Sequence, residues 1–127
     1  MKTKLQAFHL QESIYEAIIN KLIKENYLNE ERFAKMFASG KLRINKWGKN
    51  KIYRALQEKR VPELFILEGL NEIEDTEYIE VLRKIISRKS NEISETNLNK
   101  RNQKLAKFAI SKGFEPSLVW DVLNFRS

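Results

Sequence analysis

The sequence predicts an all-α protein built from short helical repeats, and three observations carry that prediction. The first is a pattern that recurs along the 127 residues: an apolar residue, a tight turn, an apolar plug and then the apolar face of a helix. Leu22 with Asn26-Tyr27-Leu28 leads into Phe33, Met36 and Phe37; Leu56 with Arg60-Val61 leads into Phe65, Ile66 and Leu70; Ala109 with Gly113-Phe114 leads into Leu118, Val122 and Leu123. A weaker copy, Leu5 with His9-Leu10, precedes Ile14, Ile18 and Ile19. The second is apolar spacing of helical period between those turns. The third is that 4 Gly and 2 Pro supply little material for the turns of a sheet. Repeats of this kind work by presenting a long surface rather than a closed catalytic pocket.

Each element follows from local signals. After a short leading helix, residues 12–25 carry Ile14, Ala17, Ile18 and Leu22 on one face. A turn at Asn26 then separates them from a helix over 30–42, with Asn29 as its N-cap and Glu30 and Glu31 favourable against the helix dipole. Gly40 marks the fraying end of that helix. Residues 47–59 hold Ile52 and Leu56 on one side, and Pro62 suits the first turn of a helix over 62–72. Asp75 caps a helix over 76–89 that carries Tyr78, Ile79, Leu82, Ile85 and Ile86. The polar stretch Ser87–Asn97 is an insertion, with a mobile loop from Ser90 to Glu95. Residues 97–112 carry Leu98, Leu105, Phe108 and Ala109, Gly113 supplies a left-handed stop, and Pro116 opens a last helix to 124.

Composition narrows function. With no cysteine there is no disulfide framework and no thiolate chemistry, which suits the cytosol. The opening residues lack the apolar core of a signal peptide, and no run approaches the roughly 20 apolar residues of a membrane span. The single histidine, His9, is expected at a turn, and without cysteine or paired ligand spacing no metal or haem site is expected. Trp47-Gly48-Lys49-Asn50-Lys51 lacks the second glycine and the Ser/Thr of a phosphate loop. The pairs Glu30/Glu31 and Glu77/Glu80 read as solvated helix faces. The expectation is a protein that is not an enzyme and has no cofactor.

The formal net charge of +7 favours a polyanion as partner, and its distribution says more than its size. No Asp or Glu occurs from Arg32 to Gln57, a window that holds Arg32, Lys35, Lys41, Arg43, Lys46, Lys49, Lys51 and Arg54, whereas acid gathers from Glu63 to Glu80. On a helix, Lys51 and Arg54 lie together opposite Ile52 and Leu56, and Lys41, Arg43 and Lys46 extend the same field from the preceding turn. The functional reading is sequence-independent contact with phosphates or an acidic surface; the bland one is a solvated face. Trp47 either stacks on a base or plugs the core, the latter being commoner at a helix start, and Tyr53 stays open. Lys100, Lys104 and Lys107 form a second stripe that Arg83, Lys84, Arg88 and Lys89 extend across the loop.

Tyr27-Leu28-Asn29-Glu30-Glu31-Arg32-Phe33-Ala34 resembles a signature of the RecX family, bacterial modulators of RecA recombinase. Trp47-Gly48-Lys49 with Lys51, Ile52, Leu56 and Lys59 is similar to the family's Lys-Gly element, and Lys104-Leu105 through Gly113-Phe114, Val119 and Leu123 to its terminal unit. The resemblance runs from about Leu10 to Leu123. It implies tandem three-helix repeats in an elongated, curved right-handed array, divided as a truncated first repeat over 1–26, a second over 27–72 and a third over 73–127. It implies docking in the helical groove of the RecA–single-stranded DNA filament, inhibition of filament extension, ATPase, strand exchange and LexA coprotease activity, and hence regulation of recombination and the SOS response. Contact with RecA or DNA is then expected from Lys41, Arg43, Lys46, Lys49, Lys51, Arg54, Lys100, Lys104 and Lys107. The nucleic-acid partner the resemblance implies is single-stranded DNA, with duplex DNA as an alternative, and the expected compartment is the cytoplasm. The family's turn glycines are replaced here by Asn26 and Arg60, and Arg60 is expected to use a different turn. Two rival readings are a free-standing helix-turn-helix DNA binder, with 47–59 as recognition helix, and a helical adaptor for another acidic protein.

Overall fold

A computed structural model describes the backbone of residues 2–126 and the side chains of residues 13–124. Six helices and no strand occur among the described residues: α1 Lys2–Arg43, α2 Lys49–Glu58, α3 Glu63–Asn71, α4 Asp75–Glu92, α5 Leu98–Ser111 and α6 Pro116–Arg126. They form tandem three-helix repeats. The C-terminal half of α1 packs with α2 and α3; α5 packs with both α4 and α6; α1 also touches α4. One core runs through both units, from Ala38, Leu42, Ile52 and Leu56 to Leu82, Ile86, Phe114 and Leu123.

The ends of α2 and α5 follow from the same device. Beyond α2, the Arg60 N–H donates to the Gln57 carbonyl at 2.9 Å and the Val61 N–H to the Leu56 carbonyl at 3.1 Å. Beyond α5, the Gly113 and Phe114 N–H groups donate in the same pattern to the carbonyls of Ile110 and Ala109. Both are left-handed stops with an apolar residue folded back on the last turn, and Phe114 is fully buried. Arg60 has φ +61°, so it occupies the left-handed position that a glycine would fill, and the expected different turn is corrected. The two hydrogen bonds and the Val61 contact hold it there despite its Cβ.

The expected break at Asn26 does not exist. α1 runs for 42 residues through His9, Asn26 and Asn29, so neither His9 nor Asn26 lies at a turn and Asn29 is not an N-cap. The His9 side chain lies outside the described residues. From Ala17 to Arg32 there is no Gly or Pro, and an interior Asn costs a helix only about 0.7 kcal/mol relative to Ala, too little to stop it. What changes along α1 is its surroundings. Ile14, Ile18 and Leu22 are each more than half exposed, at 53%, 52% and 58%, whereas Ala34, Ala38 and Leu42 are buried on one face. There α3 comes close: a Cβ on Gly69 would lie 2.9 Å from the Ala34 carbonyl carbon.

The insertion is also shorter than expected. α4 continues to Glu92, and the Arg101 guanidinium ties the following turn down by donating to the Ser90 hydroxyl at 2.6 Å, the Ile93 carbonyl at 2.9 Å and the Glu95 carbonyl at 3.1 Å. It also donates to the Ser90 carbonyl. The expectation of a mobile loop from Ser90 is therefore corrected: Ser90 is helical and buried.

The two units meet where the α1–α2 turn lies against the α5–α6 turn. The Gly48 N–H donates to the Lys112 carbonyl at 2.8 Å and the Asn50 N–H to the Gly113 carbonyl at 2.9 Å. Tyr78 of α4 ties the same place together: its hydroxyl accepts from the Lys49 N–H at 2.8 Å and donates to the Glu115 carboxylate. These bonds occupy first-turn donors of α2, which has no side-chain N-cap.

Candidate functional site

Burial of Ile52 and Leu56 sets the orientation of α2 and turns Lys51 and Arg54 outward. At the start of the helix, Trp47 is half-buried against the core, with the Lys41 and Lys51 ammonium groups each 4.8 Å from its ring centre. Lys41 also lies 5.4 Å and Lys59 5.7 Å from the ring centre of Phe37. Lys49 sits 4.8 Å from the Tyr78 ring centre. The core reading of Trp47 holds in that the side chain packs on the core; it also lines a groove. That groove, about 470 Å³, runs between α2 and the α5–α6 turn; Asn50, Lys51, Arg54 and Glu58 line it from one unit, and Ile110, Ser111 and Pro116 from the other.

The remaining sequence-derived residues are dispersed. Arg43 lies on another side, where its guanidinium makes a two-pronged ion pair with Glu77 of α4, at 2.5 and 3.2 Å. The hydrogen bond and charge of Arg43 hold the Glu77 carboxyl below its usual range. Lys46 has φ +59° and its ammonium donates to the Arg43 carbonyl at 2.6 Å. It lines a small cleft of about 170 Å³ with Arg88, Lys89, Phe108 and Lys112. On α5, Lys104 lies 3.7 Å from the Glu95 carboxylate, and Lys100 and Lys107 are exposed. The fold thus gathers Lys41, Lys51 and Arg54 about Trp47, sets Lys49 on Tyr78, and leaves Arg43, Lys46 and the α5 stripe elsewhere.

Sequence reasoning left Lys112 and Lys59 out of the site. Lys112 caps α5 beside Gly113, and only the docking of two distant turns brings it near Lys46. Lys59, at the end of α2, reaches Phe37 because α1 and α2 pack together. Tyr78 was expected only as core. It is buried, but its hydroxyl bridges the two units beside Lys49, and burial together with the Glu115 contact raises its pKa.

Lys35, Arg43, Lys84, Lys89 and Lys104 each have a carboxylate within 4 Å; among the described residues Lys41, Lys49, Lys51 and Arg54 have none, and neither have Lys46, Lys100 and Lys107. Cations that no acid neutralises keep their full attraction for phosphate, and an aromatic ring between them offers a face to a base. No group of three or more His, Cys, Asp or Glu among the described residues is placed to hold a metal ion. No described helix is long and apolar enough to cross a membrane.

Comparison with known proteins converges on one description. A family model for RecX, second three-helix domain, matches residues 29–70, and one for RecX, third three-helix domain, matches residues 75–123. The chain is 32% identical over 128 residues to the regulatory protein RecX of Clostridium acetobutylicum, covering 98% of this chain and 59% of that protein. It is 32% identical over 117 residues to the same-named protein of Clostridium perfringens, covering 91% and 54%. The Lactobacillus johnsonii protein is 30% identical over 115 residues, covering 88% and 42%. The chain thus spans about half the length of these relatives. No solved structure matches it.

Proposed function

Because the chain belongs to the RecX family, we propose that it regulates RecA by lodging in the helical groove of the RecA–single-stranded DNA filament. There it inhibits filament extension, ATPase and strand exchange, and so restrains recombination and the SOS response in the bacterial cytoplasm. The observation that carries this reading is the acid-free window from Arg32 to Gln57, in which Lys41, Lys51 and Arg54 lie about Trp47 and Lys49 beside Tyr78, none with a carboxylate partner. The chemistry of such a face suits phosphates or an acidic protein groove, and asks for no reaction at the site. Lys100, Lys104 and Lys107 extend the reach along α5.

Mechanically, a wedge has to be stiff across its own units to oppose the movement of neighbouring protomers. The continuous core and the bonds from Gly48, Lys49 and Asn50 to the second unit support that stiffness. The test is RecA on single-stranded DNA with the chain added. Loss of DNA-dependent ATPase and strand exchange at well below one chain per RecA protomer is the expected result, relieved by charge reversal at Lys49, Lys51 and Arg54. Undiminished ATPase and strand exchange at those ratios overturn the proposal. Tight binding to one duplex sequence in place of the filament would favour the helix-turn-helix rival.

A further inference from the structure

The groove beside α2 shares Lys51 and Arg54 with the phosphate contacts above, but its other walls are of a different kind. It is about 470 Å³, a volume within the range of small-ligand sites. Its walls combine a ring (Trp47), amide and hydroxyl groups (Asn50 and Ser111), cations (Lys51 and Arg54) and apolar surface (Ile110 and Pro116). The Asn50 side chain is exposed and lines the groove.

We propose that this groove is a single-nucleotide subsite for single-stranded nucleic acid, in which a base stacks on Trp47 and the adjoining phosphates lie against Lys51 and Arg54. The proposal rests on reading the α2 face as a nucleic-acid contact, and adds that it recognises unpaired bases as well as charge. A base inside a duplex has both faces covered by its neighbours, so stacking on a protein ring selects single strands and tolerates any sequence. The Lys41 and Lys51 ammonium groups over Trp47 are held only by exposed cation–ring attraction, which is weak enough for a base to displace. Displaced, they stay on flexible stems beside the phosphates that flank that base. Glu58, one turn beyond Arg54 on the same wall, repels phosphate and directs the backbone toward Lys51 and Lys41.

The test compares a short dT oligonucleotide with an abasic oligonucleotide of equal length and charge. Both are titrated into the full chain carrying Trp120→Phe, so that Trp47 is the sole tryptophan reporter. The subsite predicts quenching of Trp47 by dT and roughly 5- to 150-fold weaker binding of the abasic strand, the range that stacking on one aromatic ring gives. Trp47→Ala should bring the two ligands to equal affinity, and Trp47→Phe should keep part of the difference. An rU strand of the same length shows whether DNA or RNA is preferred; tighter binding than the abasic strand by either polymer supports the subsite. Equal affinity of dT and abasic strands for the unaltered chain overturns it without any variant having to fold. So does binding of duplex as tightly as single strand. Either failure leaves the RecA reading intact, because filament ATPase is measured separately.

Discussion

Gly48 lies directly against Gly113, with its N–H bonded to the carbonyl of the preceding Lys112 at 2.8 Å, so that two turns far apart in the chain share one backbone-to-backbone contact. A Cβ on Gly48 would run into the backbone of Gly113 and Phe114, and one on Gly113 into Lys51. Gly113 also has φ +102°. Gly48→Ala should therefore cost about 1–3 kcal/mol by overpacking, and Gly113→Ala at least the roughly 1–2 kcal/mol of a left-handed alanine. Gly40→Ala, with nothing within 4 Å, should instead stabilise by about 0.5–1 kcal/mol. Urea unfolding of the three variants measures all of this; a neutral Gly48→Ala would contradict the contact.

Tyr78 joins the units through its hydroxyl. Tyr78→Phe leaves the Lys49 N–H and the Glu115 carboxylate without that partner, and should cost about 1–3 kcal/mol. Burial raises the phenol's pKa, so its neutral form is favoured by folding. That contribution is complete below the ordinary tyrosine pKa of about 10 and is lost as pH rises above it. The stability gap between the unaltered chain and Tyr78→Phe should narrow on the alkaline side, as read by denaturant titration at pH 8 and above pH 10.

The Arg43–Glu77 pair acts in the opposite direction. The folded-state pKa of Glu77 is lowered, so its contribution is present above the unfolded value of 4.5 and fades as pH falls below it. Both groups are accessible to solvent, so the effect is small and screened by salt. Glu77→Gln should lower the midpoint of thermal unfolding slightly at pH 7 and low ionic strength, and make no difference at pH 3. A gap that persisted at pH 3 would locate its cause elsewhere than the charge.

The open cations of α2 should be visible in the salt dependence of single-strand binding. Each phosphate neutralised contributes about −0.7 to the log–log slope. Replacing Lys51 and Arg54 together with alanine should make the slope shallower by roughly 1.4. Lys104→Ala, already offset by Glu95, should change it less. Equal effects from both replacements would remove the distinction between the two surfaces.

Continuity of α1 through position 26 gives a simple contrast. Asn26→Ala should raise far-UV helicity, because alanine is the better helix former by about 0.7 kcal/mol at most. Asn26→Pro should lose helicity on its N-terminal side. The cooperative unfolding of the core, which begins at Ala34, should be preserved. Unchanged circular dichroism in Asn26→Pro would restore a turn at this position.

Helix starts and stops were legible where chemistry enforces them. Pro116, Gly113 and the Leu56–Val61 pattern mark the ends of α6, α5 and α2 to within a residue or two, because proline, a left-handed stop and a folded-back apolar side chain act locally. Asn26 misled because the same apolar pattern surrounds it, although nothing there is costly enough to end a helix. Arg60 misled in reverse: its side chain disfavours the left-handed turn, yet the two hydrogen bonds and the Val61 plug hold it there. For the site, the acid-free window was readable as composition, and the turning outward of Lys51 and Arg54 as periodicity. That Arg43 would be claimed by Glu77, 34 positions on, was not readable, since ion pairing depends on where a different helix comes to rest.

By itself, then, the amino-acid order determined an all-helical chain, the facing of α2 and a surplus of positive charge next to Trp47, since all of these follow from neighbours within a turn or two. Tertiary structure alone decided that Gly48 meets Gly113, that Tyr78 bolts one unit to the other, and that Lys51 and Arg54 share a groove with Ile110, Ser111 and Pro116. Those relations join residues tens of positions apart. They arise when packing of a common core brings two turns into register, and that is a property no local stretch of sequence possesses.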